Sequence, residues 1–147
     1  MRIDGLTISN GLVWSLDGGT AFHIDTPKGR IDAYEFDADA GMLHERRTLA
    51  EVSGGSPDGM TIDAEGGLWV AIWGGSAVHR YSAMGELTDT VSVDASHVTS
   101  CAFGGPNLDR LIITTSREEL DHDEQWAGAV FAIEPGVRGA PLPGYRG

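Results

Sequence analysis

Apolar positions along this chain come in short runs, and nearly every run is closed by a polar cluster containing glycine. Arg30-Ile31-Asp32-Ala33-Tyr34-Glu35-Phe36 alternates in part, with Ile31 and Ala33 in step and Tyr34 and Phe36 out of it. Leu68-Trp69-Val70-Ala71-Ile72-Trp73, Val78-His79-Arg80-Tyr81, Leu111-Ile112-Ile113-Thr114-Thr115-Ser116 and Ala129-Val130-Phe131-Ala132-Ile133 have strand length and strand composition. Between such runs stand Leu16-Asp17-Gly18-Gly19, Pro27-Lys28-Gly29, Ser53-Gly54-Gly55-Ser56-Pro57, Ala64-Glu65-Gly66-Gly67, Gly74-Gly75 and Met84-Gly85. Glycine at these places gives tight reversals without steric cost, so most of the 21 glycines read as turns. Helical periodicity is not sustained anywhere; a single turn at Glu118-Glu119-Leu120 is the most the pattern offers. The chain is therefore expected to be all-β, built from short antiparallel strands.

The pattern also repeats. Asn10-Gly11-Leu12-Val13-Trp14-Ser15 and Asp58-Gly59-Met60-Thr61-Ile62-Asp63 each place an oxygen-bearing side chain before glycine and an apolar strand after it. A second strand follows in both, Ala21-Phe22-His23-Ile24-Asp25-Thr26 and Leu68–Trp73. A third copy starts at Ser100-Cys101-Ala102-Phe103-Gly104-Gly105, so the offsets are 58 − 10 = 48 and 100 − 58 = 42. Repeats of about 40 to 50 residues made of short strands are the signature of β-propeller blades, normally with four strands each. The expected blades lie at about 10–53, 56–95 and 97–147 of one partial propeller domain spanning 1–147, the last with little room for an outer strand at Pro141-Leu142-Pro143-Gly144-Tyr145-Arg146-Gly147. Ile3-Asp4-Gly5-Leu6-Thr7-Ile8 reads as the outer strand of a preceding blade. Three blades do not close a ring, since propellers have about four to eight. Open apolar faces at both ends predict self-association, or pairing with a missing amino-terminal half. Equivalent positions of successive blades converge on the central axis, which is how Asn10 and Asp58 can share a ligand.

Charge narrows the partners. A net charge of −12 and a pI near 4.6 oppose binding to nucleic acid phosphates and anionic membrane surfaces. No apolar run approaches the roughly 20 residues of a membrane helix, and Met1-Arg2-Ile3-Asp4-Gly5 lacks the apolar core of a secretory signal, so a cytoplasmic location is expected. Cys101 is the single cysteine and is expected to be an inert core thiol. His23, His44, His79, His97 and His122 have no zinc-ligand spacing and read as strand and surface residues. Glu118, Glu119 and Asp121-His122-Asp123-Glu124 lack the register of an EF-hand and read as a solvated acidic loop. Trp14, Trp69, Trp73 and Trp126 read as blade-packing residues, with Trp73 also bordering the channel.

Several strings resemble one family: Ile8-Ser9-Asn10-Gly11-Leu12, Gly29-Arg30-Ile31-Asp32, Gly55-Ser56-Pro57-Asp58-Gly59-Met60, Leu68-Trp69-Val70-Ala71 with Trp73-Gly74-Gly75, and Thr99-Ser100-Cys101-Ala102-Phe103-Gly104-Gly105. Together, and in this order, they are similar to the carboxyl-terminal half of the gluconolactonase and regucalcin (senescence marker protein) family. The resemblance implies a six-bladed propeller about twice this length that hydrolyses sugar lactones with one divalent cation. It further implies that Asn10 and Asp58 are two of four cation ligands and that Asp58 is the general base. The family's early Glu and its Arg-x-Asn-Asp stretch have no counterpart here, so no substrate-binding residue is assigned. Ser100, equivalent by repeat, is expected to line the channel structurally.

The residue types suit that chemistry. Hydrolysing a lactone takes a nucleophilic water, a polarised carbonyl and stabilisation of the developing oxyanion, and a carboxylate about 3 Å from the water can take its proton. Ligation by oxygen alone favours a hard ion, calcium first, with magnesium or manganese next; zinc, which more often recruits His or Cys, is a further alternative. The expected function is metal-dependent hydrolysis of a sugar lactone. The alternative is a non-catalytic binding or structural module in which Asn10 and Asp58 are only turn residues.

Overall fold

The computed structural model describes residues 3–120 and 122–141. Among these residues eleven strands form three antiparallel sheets, each a meander of strands consecutive in the chain. The first holds β1 (Ser9–Trp14), β2 (Thr20–Asp25), β3 (Arg30–Asp37) and β4 (Met42–Glu51). The second holds β5 (Ser56–Ile62), β6 (Leu68–Trp73), β7 (Ala77–Tyr81) and β8 (Leu87–Ser92). The third holds β9 (Val98–Gly104), β10 (Arg110–Thr115) and β11 (Val130–Ile133), one strand fewer than the first two. The tail expected after β11 lies, from residue 142 on, outside the described residues, as does Asp121 of the acidic loop.

The middle strands β2 and β6 are buried along nearly their whole length. Phe22, Ile24, Ile31 and Ala33 of the first sheet meet Met60, Ile62, Leu68, Val70, Ile72 and Tyr81 of the second in one core. Trp69, Ala71 and Val78 on the other face of the second sheet meet Cys101, Leu111 and Ile113 of the third in another. Trp69 is 2% exposed and packs edge-on against Phe103 at 5.9 Å. The outer strands β4 and β8 are mostly exposed, as the rim of a blade should be. The chain after β11 returns to the second sheet: Arg138 O accepts from Ala64 N, Ile62 O accepts from Ala140 N, and Gly139 bridges to Asp63. That contact ties the third sheet to the second at the far end of β5 from Asp58.

Two expectations change. Ile3–Ile8 forms no strand; an outer strand needs a neighbour to pair with, and the described residues supply none there. Instead Thr7 N and Ile8 N donate to the buried Asp25 carboxylate. His23 and His79, expected as strand and surface residues, are strand residues but buried, at 3% and 8% exposure. Their rings rest against Tyr34 and Tyr81 respectively, and burial pushes both below the ordinary imidazole pKa.

Candidate functional site

The innermost strands β1, β5 and β9 lie side by side, and each is irregular near its first residues. Ser9 pairs with Asp25 and Leu12 with His23, which leaves Asn10 and Gly11 together opposite one residue of β2. Pro57 pairs with Ile72 and Met60 with Val70, leaving Asp58 and Gly59 in the same position on the second sheet. A bulge of this kind re-aims a side chain out of the ladder, so Asn10 and Asp58 are displaced alike. In the third sheet Val98 pairs with Thr115 and Ser100 with Thr114, so the extra residue is Thr99. The position equivalent to Asn10 and Asp58 is thus Thr99 rather than Ser100, which falls in register instead with Gly59. Thr99 and Thr114 hydroxyls bond each other at 2.7 Å.

Glycine follows each ligand candidate because the inner strands nearly touch. A Cβ on Gly11 would stand 2.7 Å from Met60 Cβ and 2.9 Å from Asp58 O, and one on Gly59 would run into Ser100. This close approach lets side chains 48 residues apart meet. The Asn10 amide donates to the Asp58 carboxylate and, through Nδ2, to Thr26 Oγ1 at 3.2 Å. Thr26 is held in a short 3-10 turn after β2. Burial pushes the Asp58 pKa above the ordinary carboxylate value, against the hydrogen bonds from Asn10 and Gly59 N–H.

The donor set fits a hard cation. Asn10 spends its N–H groups on Asp58 and Thr26, which leaves its carbonyl oxygen for a ligand, and Asp58 is a half-buried carboxylate on which no cationic side chain of the described residues acts. Among the described residues no three His, Cys, Asp or Glu side chains gather, and a full coordination shell needs more donors than Asn10 and Asp58. At the same end of the sheets Trp73, paired with Ser56, stacks on His97 with centroids 4.0 Å apart. Sequence reasoning missed His97 because nothing in its spacing marks it; only the bridge between Trp73 and His97 brings it to the rim. A cavity of about 430 Å³ lies elsewhere, lined by Arg117, Leu120, His122, Asp123 and Glu124. It is a surface hollow of the loop between β10 and β11 and does not include Asn10 or Asp58.

Successive antiparallel sheets whose bulged inner strands carry oxygen-bearing side chains at one end define a propeller-type protein. More particularly, the chain belongs to the SMP-30/Gluconolactonase/LRE-like family, whose profile matches residues 1–117. Regucalcin of Xenopus laevis is 38% identical over 154 residues, covering 99% of this chain and 52% of that protein. The crystal structure of a calcium-binding protein, regucalcin, from Agrobacterium tumefaciens superposes with a TM-score of 0.89 at 34% identity, over 96% of this chain and 50% of that one. A gluconolactonase from Xanthomonas campestris gives 0.68 at 32% identity, over 78% and 37%. The chain spans about half the length of the curated relatives it matches. Among the described residues no helix is long and apolar enough to cross a membrane.

Proposed function

We propose that this chain carries part of the site of a metal-dependent hydrolase of sugar lactones, with Asn10 and Asp58 as cation ligands and Asp58 as general base. The observation that carries the reading is the direct contact of the Asn10 amide with Asp58 from equivalent bulges of two sheets. It is supported by the calcium-binding and gluconolactonase relatives. Calcium is the preferred ion, ahead of manganese, magnesium or zinc, because both donors are oxygens.

When bound, a divalent cation polarises the lactone carbonyl and makes a bound water more acidic. Asn10 orients Asp58 by its N–H and turns its carbonyl oxygen to the mouth. Asp58 takes the proton of the attacking water and, once protonated, returns it to the ring oxygen as the ester C–O bond breaks. Its burial serves this role, because a carboxylate pKa moved up toward the working pH makes a stronger base.

The test is lactone hydrolysis followed by acid release with calcium, manganese or zinc supplied, together with calcium binding by calorimetry. Asp58→Asn should lower turnover by roughly two to four orders of magnitude and weaken calcium binding. Asn10→Ala should weaken binding but recover with excess cation, since it removes a ligand without proton chemistry. Hydrolysis unchanged in Asp58→Asn, or equal rescue of both variants by cation, overturns the assignment.

A further inference from the structure

The chain entering β1 is fastened at three successive residues to the end of β2 and the turn after it. Ile8 N donates to Asp25 Oδ1 at 2.8 Å, and Ile8 O accepts from Thr26 N at 3.0 Å. Ser9 Oγ bonds His23 Nε2 at 2.9 Å. Asn10 Nδ2 donates to Thr26 Oγ1 at 3.2 Å. His23 and Asp25 are each 3% exposed, and Asp25 also holds Lys28 Nζ at 3.1 Å. Polar groups buried on β2 thus secure the backbone on both sides of the Asn10 bulge.

The second sheet is built differently at the same places. Aligned on Asn10 and Asp58, the register sets His23 against Val70 and Asp25 against Ile72, and the next residue, Thr26, against Trp73. Val70 and Ile72 are apolar and fully buried. Burying a histidine and a carboxylate instead costs desolvation that hydrogen bonds must offset, so the exchange serves something other than packing. The donor count of the two bulge residues accounts for it. An asparagine amide carries two N–H donors, and an ionised aspartate carries none. Asn10 therefore meets an acceptor in Thr26 Oγ1, whereas the second sheet has at that place Trp73, whose side chain offers only an N–H donor.

We propose that Thr26 is a positioning residue of the cation site: its hydroxyl fixes the Asn10 amide so that the carbonyl oxygen, and not an N–H, meets the ion. This role rests on the reading of Asn10 and Asp58 as cation ligands. Asp58 accepts from the Asn10 amide as well, but its charge changes when it takes a proton from water. The Thr26 hydroxyl stays neutral throughout and is the constant hold. It is also a stiff one. Branching at Cβ restricts χ1 of Thr26, Pro27 limits the backbone of the 3-10 turn, and Gly29 N closes that turn on Thr26 O at 3.1 Å. Thr26 acts through Asn10 alone and takes no part in proton transfer.

The experiment titrates calcium into the 147-residue chain by calorimetry and follows the Asn10 side-chain amide by NMR, its two proton signals identified by their loss in Asn10→Ala. Thr26→Val keeps the shape of the side chain and removes the acceptor. It should raise the Kd for calcium roughly 10- to 100-fold, the usual cost of losing a group that orients a metal ligand. Without any cation, the same variant should move one Asn10 Nδ2 proton upfield and speed its exchange with water, while the proton on Asp58 keeps its place. Thr26→Ser retains the hydroxyl and should recover most of the affinity. If circular dichroism shows Thr26→Val unfolded, Thr26→Ala replaces it. Native affinity in Thr26→Val, an equal loss in Thr26→Ser, or an Asn10 amide unmoved by Thr26→Val overturns the positioning role and leaves Asn10 and Asp58 as ligands. A native chain that binds neither calcium, manganese nor zinc overturns the cation-ligand reading and this role with it. The amide signal, read without an ion, tells the two failures apart.

Discussion

Asp63 is the polar residue on which the second sheet depends most. Its side chain is fully buried, and four donors converge on it: Arg80 Nε at 2.7 Å, Trp69 Nε1 at 2.8 Å, Gly67 N at 2.8 Å and Glu65 N at 2.9 Å. Replacing it with alanine leaves Trp69 N–H buried without an acceptor and takes the partner from a guanidinium whose side chain is 14% exposed. Breaking a buried pair from one side costs about 3–5 kcal/mol. The lower end applies here, because Arg80 keeps Glu65 at 2.8 Å on the solvent side. Asp63→Ala should therefore lose about 3 kcal/mol in urea unfolding at neutral pH, against a few tenths for the exposed control Asp39→Ala. The loss should depend on pH. Burial raises the Asp63 pKa, but the bonds from Arg80, Trp69, Gly67 and Glu65 together hold it below the ordinary 3.8. A carboxylate depressed in the folded state contributes stability above its unfolded pKa and loses it as pH falls through the folded one. The gap between native chain and variant should then be constant near neutrality and narrow only below about pH 4. A loss under about 1 kcal/mol, the size of an exposed pair, or a gap that narrows between neutrality and mild acid, would refute the reasoning.

Three further outcomes can be checked. Asp58 has its pKa raised, chiefly by burial, so its stabilising protonation is complete below the unfolded value and lost as pH rises through the folded one. Without cation at neutral pH, Asp58→Asn should be slightly more stable than the native chain, by less than about 1 kcal/mol for a half-exposed group. Thermal melts with calcium should reverse that order; the same order with and without calcium would refute it. Gly11→Ala drives a Cβ into Met60 Cβ at 2.7 Å and Asp58 O at 2.9 Å, so it should cost about 1–3 kcal/mol and weaken calcium binding; native stability would show that the inner strands have room. Cys101 is 5% exposed, and burial pushes its thiol up to about 12. A thiol reagent at about pH 8 should label it at the rate of global unfolding, and labelling of the folded chain within seconds would contradict its place in the core.

What was legible in the sequence was what repeats. Strand-length runs closed by glycine gave the meander order of the sheets, and the offset of 48 between Asn10 and Asp58 placed them at equivalent points of two of them. The buried histidines were not legible. His23 and His79 are buried by where their strands fall in a blade, and no local pattern around either residue records that. The third equivalent position was misplaced by one residue for a related reason. Asn-Gly and Asp-Gly announce their bulges, since glycine is the residue a close approach requires, whereas Thr99-Ser100 carries no such mark and shows its bulge only in its pairing with β10. That difference bears on chemistry. Running from the first sheet to the third, the bulge positions offer an amide, a carboxylate and a hydroxyl, the last already bonded to Thr114. Only the first two touch each other, so ligand strength is concentrated on the side of the mouth between the first and second sheets. On the proposed reading, a cation held from that side alone would keep its opposite hemisphere for water, substrate or further donors, so what else lines the mouth would determine whether these two residues can act.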